Sequence, residues 1–251
     1  MSGHSKWKTI QHKKGAADAK RGKVFSKISK ELMVVARTGG GNPDNNASLR
    51  ALIQKARESN MPRDNVERAI KKGTGELEGA ALEEVVYEGY APGGVGVSVK
   101  ALTDNKKRAA SEIRHIFTKY GSSFATQGAV SRGFKRKGQV LVDSATVEED
   151  KLMGVALDAG ADDMARDGDV FEILTDPASF DAVVAALDKA GIAKTDAEVT
   201  MIPDAYVTVT DKAAIRSTLK FVEELEDNED VQNVYTNLNA DDTVLAELEK
   251  E

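Results

Sequence analysis

Apolar residues recur at three- and four-residue steps early in the chain and at two-residue steps later, which predicts a helical region followed by a mixed one. Phe25, Ile28, Leu32 and Val35 form one apolar stripe and predict an amphipathic helix over 15–37. Thr38-Gly39-Gly40-Gly41-Asn42-Pro43 ends it, because glycine and proline interrupt helical backbone. A second helix is expected over 46–59, with Leu49, Leu52, Ile53 and Ala56 inward. A third begins at the break Asn60-Met61-Pro62 and runs to Lys72 on Val66, Ala69 and Ile70, with Gly73 placed to end it. Three helices with short connections make a small bundle. Residues 1–14 lack this periodicity and read as an arm that is flexible until bound.

A glycine-rich linker at 73–81 separates this bundle from a different grammar. Strands are expected at 85–90 and 95–102, around the turn Ala91-Pro92-Gly93-Gly94. Asp104 or Asn105 can cap a helix reaching Tyr120, with Ala109, Ile113, Ile116 and Phe117 as its apolar face. A Gly/Ser/Thr-rich loop occupies 121–133. Further strands are expected at 139–143, 169–175, 197–202, 205–210 and 231–236, with a weak one near 161–166, and helices at 147–158, 177–190 and 211–226. Asp167-Gly168-Asp169 is a hairpin turn. The order implies two units of the β-α-β-β-α-β type. Residues 82–120 supply only β-β-α and 204–238 only β-α-β, so each fragment needs the other to complete a sheet. The expected fold is α+β: a helical domain at 1–80, a discontinuous α+β domain from 81–133 plus 204–240, a ferredoxin-like α+β domain inserted at 134–203, and an acidic tail at 241–251.

Charge adds a second division. The formal net charge of −6 conceals 17 Lys and Arg against 6 Asp and Glu in residues 1–75, followed by 18 against 35 in the rest. A basic module on an acidic body points to a polyanionic partner for the first segment. Lys20, Lys23, Lys27 and Lys30 recur on the side of the first helix opposite its apolar stripe, with Arg21 at the edge. Such a face can neutralise phosphates and release counterions, which carries affinity without much sequence information. Lys6, Lys8, Lys13 and Lys14 extend it through the arm, and Trp7 either stacks on an unpaired base or plugs the arm onto the bundle. Arg63, Arg68, Lys71 and Lys72 on the third helix form a second cationic set, diluted by Asp64 and Glu67.

Several chemistries fall away. The chain has no cysteine, which excludes disulfides, zinc-thiolate sites and cysteine nucleophiles and fits a reducing cytoplasm. Residues 1–7 lack the apolar core of a secretory signal, and no apolar run is long enough for a membrane helix. His4 and His12 lie on the arm, and His115 sits beside Arg114 on a helix, so none is placed as a general base. Asp162, Asp163, Asp167 and Asp169 lack the spacing and terminal glutamate of a calcium loop. Gly93-Gly94-Val95-Gly96 precedes a strand rather than a helix, so it is not a phosphate cradle. No catalytic constellation, metal site or cofactor is expected, and the acidic body is left to contact proteins.

Longer strings carry a resemblance: Gly3-His4-Ser5-Lys6-Trp7, Ala19-Lys20-Arg21-Gly22-Lys23-Val24-Phe25, the run from Asn60-Met61-Pro62-Arg63-Asp64-Asn65 to Lys71-Lys72-Gly73, Tyr87-Glu88-Gly89-Tyr90-Ala91-Pro92-Gly93-Gly94-Val95 and Leu102-Thr103-Asp104-Asn105. In this order they resemble the YebC/PmpR family, which includes the mitochondrial translational activator of cytochrome c oxidase. The resemblance implies a three-helix domain followed by two α+β domains, one inserted in the other. It implies a DNA-binding transcriptional regulator, or alternatively a ribosome-associated factor that binds RNA and relieves stalling at proline runs. The pattern departs from the family at 121–134, where Ser122 stands at a glycine position and Arg132 at an aromatic one.

Overall fold

The computed structural model describes residues 18–241, 244, 245 and 247, with side chains from Gly22 onward. Three helices come first among the described residues: α1 (Asp18–Gly39), α2 (Ala47–Glu58) and α3 (Arg63–Thr74). Asn46 caps α2 by accepting the Leu49 N–H at 3.0 Å, as an N-cap side chain does for an orphan donor. Ile28, Leu32, Leu49, Ala56, Met61, Val66 and Ala69 form their common core, so the expected stripes meet one another. Gly73 does not end α3. It lies buried inside the helix, and Gly75 takes the left-handed conformation after it, at φ 84°. A Cβ on Gly73 would lie 2.4 Å from the Met33 carbonyl oxygen; glycine is there because α1 and α3 cross closely.

The first sheet combines β1 (Glu83–Ala91), β2 (Val95–Thr103), β3 (Ser123–Ala125) and β9 (Val231–Thr236) in the order β3-β1-β2-β9. Helices α4 (Lys106–Lys119) and α7 (Lys212–Asp227) cover one face. Val97, Val99 and Ala101 meet Ile113, Phe117, Ile215, Phe221 and Leu225 there. Asn105 is the cap of α4, its side chain accepting from the Arg108 N–H at 3.1 Å. Two short strands escaped the sequence pattern: β3, inside the expected loop, and β10 (Leu238–Ala240). The strand expected at 205–210 shrinks to β8 (Val207–Val209), which pairs in parallel with β10 and not with the first sheet.

The second sheet is made from the intervening chain: β4 (Phe134–Asp143), α5 (Glu149–Asp158), β5 (Ala161–Asp167), β6 (Val170–Thr175), α6 (Phe180–Lys189) and β7 (Asp196–Pro203). Its strand order, β5-β6-β4-β7 with every pairing antiparallel, is that of a ferredoxin-like unit. Val140, Val142, Phe171 and Ile173 meet Leu152, Ala156, Val183 and Leu187 on the helical side. The opposite side is polar yet covered: Gln139 and Glu172 are buried and hydrogen-bonded to each other.

Tyr235 of β9 lies within electrostatic reach of all three parts. Burial, followed by the nearby carboxylates of Glu198 on β7, Glu31 on α1 and Glu84 on β1, pushes its hydroxyl up to about 12.

Candidate nucleic-acid interface

The lysine side of α1 is where the structure departs most from the sequence expectation. Lys23 pairs with Asp227 at the end of α7, Nζ to Oδ1 3.0 Å. Lys27 donates to the carbonyl oxygen of Glu226 at 2.9 Å. Burial lowers its pKa, against the opposing pull of Glu226, Asp227 and Glu31. Lys30 donates to the Glu229 carbonyl at 2.8 Å and to Asp230 Oδ1 at 2.7 Å. Lys27 and Lys30 are therefore turned onto the α7–β9 corner rather than toward open solvent, and Lys23 pairs at its exposed edge. Periodicity defined the face correctly; it could not say that another part of the chain covers it.

Asp230 is the centre of this clasp. It is 3 % exposed and also accepts from Arg108 at 2.8 Å and from the Thr103 hydroxyl at 3.0 Å. Burial alone would raise its pKa, but the hydrogen bonds from Lys30, Arg108 and Thr103 bring it below the ordinary value. In return, Asp230 and Asp104 hold the Arg108 guanidinium above its ordinary value.

The remaining predicted residues divide in three. Lys6, Trp7, Lys8, Lys13 and Lys14 lie outside the described residues, and the side chains of Lys20 and Arg21 on α1 do so too. Arg63 pairs with Glu67 one turn away, at 2.9 Å. Arg68, Lys71 and Lys72 are exposed on α3 and form no ion pair with a described residue. Lys71 and Lys72 sit in its last turn, where the helix dipole favours cations.

Two features were not singled out in the sequence. Glu88, on the side of β1 away from the helices, is 1 % exposed. Its carboxylate accepts the backbone N–H groups of Gly128 (2.8 Å), Val130 (2.5 Å) and Ser131 (3.0 Å) and the Ser131 hydroxyl (2.8 Å). Burial raises its pKa, and these four donors outweigh that and lower it. The loop containing Arg132 thus hangs on one carboxylate; the sequence sign was an acid between Tyr87 and Tyr90, inside the strand expected at 85–90.

The second is a groove along the N-terminal half of α7, lined by Tyr120, Asp211, Lys212, Arg216, Ser217 and Lys220. Lys212, Arg216 and Lys220 follow four-residue steps, the spacing that puts side chains on one helix face. That stripe was legible in the sequence but was hidden by the acidic total of the body. Lys212 pairs with Glu247 at 2.6 Å.

The described residues contain no His/Cys/Asp/Glu group able to hold a metal ion. Asp162 instead pairs with Lys137 at 2.7 Å, and Asp167-Gly168-Asp169 turns β5 into β6 with Gly168 at φ 59°. No described helix is long and apolar enough to cross a membrane.

Comparison with known proteins places the whole arrangement. Residues 5–76 match the TACO1/YebC N-terminal domain, and residues 82–238 match the TACO1/YebC second and third domain. The chain belongs to the TACO1/YebC family. A probable transcriptional regulatory protein of Desulfatibacillum aliphaticivorans is 55 % identical over 247 residues, covering 98 % of this chain and 100 % of the relative. One from Geobacter sulfurreducens is 53 % identical over 250 residues, covering 100 % and 99 %. The crystal structure of a conserved hypothetical protein from Aquifex aeolicus superposes with a TM-score of 0.79 at 44 % identity, covering 90 % of this chain and 93 % of that one. These relatives of the TACO1/YebC family are thus named for transcriptional regulation.

Proposed function

We propose that this TACO1/YebC protein regulates gene expression in the cytoplasm by binding nucleic acid through its N-terminal helical region, with duplex DNA as the ligand. The observation that carries this reading is the unequal fate of the cations there. Lys27 and Lys30 are spent on the α7–β9 corner, with Lys23 paired at its exposed edge, whereas Arg68, Lys71 and Lys72 stay exposed on α3. The phosphate-facing surface is therefore centred on α3 and joined by Lys6, Trp7, Lys8, Lys13, Lys14, Lys20 and Arg21. Contacts of this kind neutralise phosphates and make affinity fall steeply with salt. The names of the relatives, probable transcriptional regulatory proteins, support the regulatory output.

The test is binding of the full chain to duplex DNA and to structured ribosomal RNA across a salt series, beside Arg68→Ala/Lys71→Ala/Lys72→Ala. Tighter binding to DNA that is weakened by the triple variant supports the proposal. Preference for the RNA keeps the surface but moves its action to the ribosome. Binding to neither overturns the reading.

A further inference from the structure

We propose that the outer side of α5, in the inserted domain, is a docking surface for another protein, and that its occupant is a cationic amphipathic helix. This inference stands apart from the nucleic-acid reading, which concerns the basic helical region.

Three features of α5 run against what its own stability asks for. Leu152 and Ala156 turn inward and are fully buried, which holds the helix to its sheet. The outer side is nevertheless apolar: Met153 is 36 % exposed and Leu157, one turn on, 47 %. Among the described residues they are the only large exposed hydrophobics that share an element. Gly154 stands between them in the helix interior, where glycine is less stable than alanine. Gly73 in α3 has a crossing helix to explain it, but a Cβ on Gly154 would meet nothing within 4 Å. The chain itself thus gives no reason for the missing side chain. Asp158 completes the set, an acid in the last turn with no base beside it, where the helix dipole disfavours negative charge. Residues that break a local rule are expected where function demands it.

The three features form one surface. Asp150, Gly154 and Asp158 follow four-residue steps and make one line along the helix, and Met153 and Leu157 make the neighbouring line. The two carboxylate positions stand about 12 Å apart along the axis, at 1.5 Å per residue, with the glycine midway. Bare backbone there lets a second helix come close, and an unbranched methionine adapts to whatever packs on it. This chain already uses a glycine in that way, at Gly73 where α1 crosses α3. On α6, which lies beside α5, the exposed residues Ala182 and Ala185 are small as well.

Charge decides which helix fits. Residues 134–203 hold 15 Asp and Glu against 7 Lys and Arg. Glu148, Glu149, Asp150 and Asp158 are exposed, and none forms an ion pair with a described residue. On α7, by contrast, Glu224 and Asp227 are paired with Lys119 and Lys23. Lys151 is the one cation on α5. A helix with Lys or Arg along both edges of an apolar stripe answers these carboxylates while its stripe covers Met153 and Leu157. A nucleic acid is repelled here, and so is the α5 of a second copy, which would bring the same acids against these.

The experiment uses the full chain and a fluorescein-labelled peptide of about 20 residues, long enough to be helical when bound, with Leu along one face and Lys along its edges. A scrambled peptide of the same composition and a Leu/Glu counterpart are the controls, and anisotropy is read over a salt series. The wild type is expected to bind the Leu/Lys helix saturably and about tenfold more tightly than the scrambled peptide. Met153→Gln/Leu157→Gln is expected to lose about tenfold. Asp150→Asn/Asp158→Asn is expected to lose about threefold, with a shallower salt dependence. Gly154→Leu enlarges the apolar area but fills the bare backbone, and is expected to bind about fivefold more weakly. Thermal melts check that each variant is folded. Tighter binding by Gly154→Leu would reveal an apolar patch without shape and overturn the proposal. No saturable binding, equal affinity for the scrambled or Leu/Glu peptide, or wild-type affinity in Met153→Gln/Leu157→Gln would each overturn it too. So would a dimer in sedimentation that this variant dissolves, which assigns the face to a second copy, or duplex DNA binding lost in the same variant, which assigns it to nucleic acid.

Discussion

Lys30 of α1 reaches Asp230 at the start of β9 with a 2.7 Å ion pair, and the aspartate side chain is only 4 % exposed. A charge buried at that depth needs its partners. Lys30→Met leaves Asp230 with Arg108 and Thr103, and is expected to cost about 2–4 kcal/mol in urea unfolding. Asp230→Asn weakens all three contacts and is expected to cost a similar amount. The double variant is expected to cost clearly less than the sum, with a coupling of about 1–3 kcal/mol. Simple additivity would show that the pair contributes nothing of its own.

Acid should open the clasp and the Glu88 loop together. Asp230 and Glu88 are both held below their ordinary values of 3.8 and 4.5. A carboxylate lowered on folding stabilises the fold fully above its unfolded pKa, and that contribution is lost as pH falls through the folded value. Stability is therefore expected to be flat near neutrality from these two groups and to drop from about pH 4.5 downward. Glu88→Gln is expected to remove part of that slope. Urea midpoints measured across the acid range read both effects.

Release of the loop is a separate consequence of Glu88. Glutamine turns one acceptor into a donor facing N–H groups, and donors left unsatisfied cost about 1–3 kcal/mol. Limited proteolysis of Glu88→Gln is expected to cut within 126–133 at a protease dose that leaves the wild type intact. Equal protection would show that the loop is held by other contacts.

The two glycines at the end of α3 are expected to respond differently. Gly73→Ala places a methyl 2.4 Å from the Met33 carbonyl oxygen and 2.9 Å from the Ala36 Cβ. Overpacking of that kind costs about 1–3 kcal/mol. Gly75 has open space around it but stands at φ 84°, so Gly75→Ala meets backbone strain alone, about 1 kcal/mol. Thermal melts of both variants rank them.

The helices were the most legible part of the chain. Ile28 and Leu32, one turn apart, announce their buried side by spacing alone, and both are fully enclosed. Strands of three residues such as Ser123–Ala125 and Leu238–Ala240 are too short to show alternation. The candidate surface was legible by residue type but not by surroundings. Lys27 meets a carbonyl 199 positions away, and no local window contains that information. Gly73 shows the same limit at short range: it reads as a helix terminator, and the sequence does not show that it is needed inside the helix, where α1 crosses. The basic stripe of α7 was obscured differently, by averaging its three cations into an acidic region.

The clasp on α1 also sets an order of events during synthesis. Its acceptors, from Glu226 to Asp230, are made some 200 residues after the lysines they receive. At about 5–20 residues per second, the ribosome needs roughly 10–40 s to cover that distance. Through that interval the helical bundle can assemble from its own three helices, but its lysines have nothing to dock on. The first sheet, which takes its last strand from the same stretch, stays open as well. A nascent chain thus shows a strongly cationic head beside the translating ribosome, and loses much of that exposed charge only when β9 arrives and closes both the sheet and the clasp.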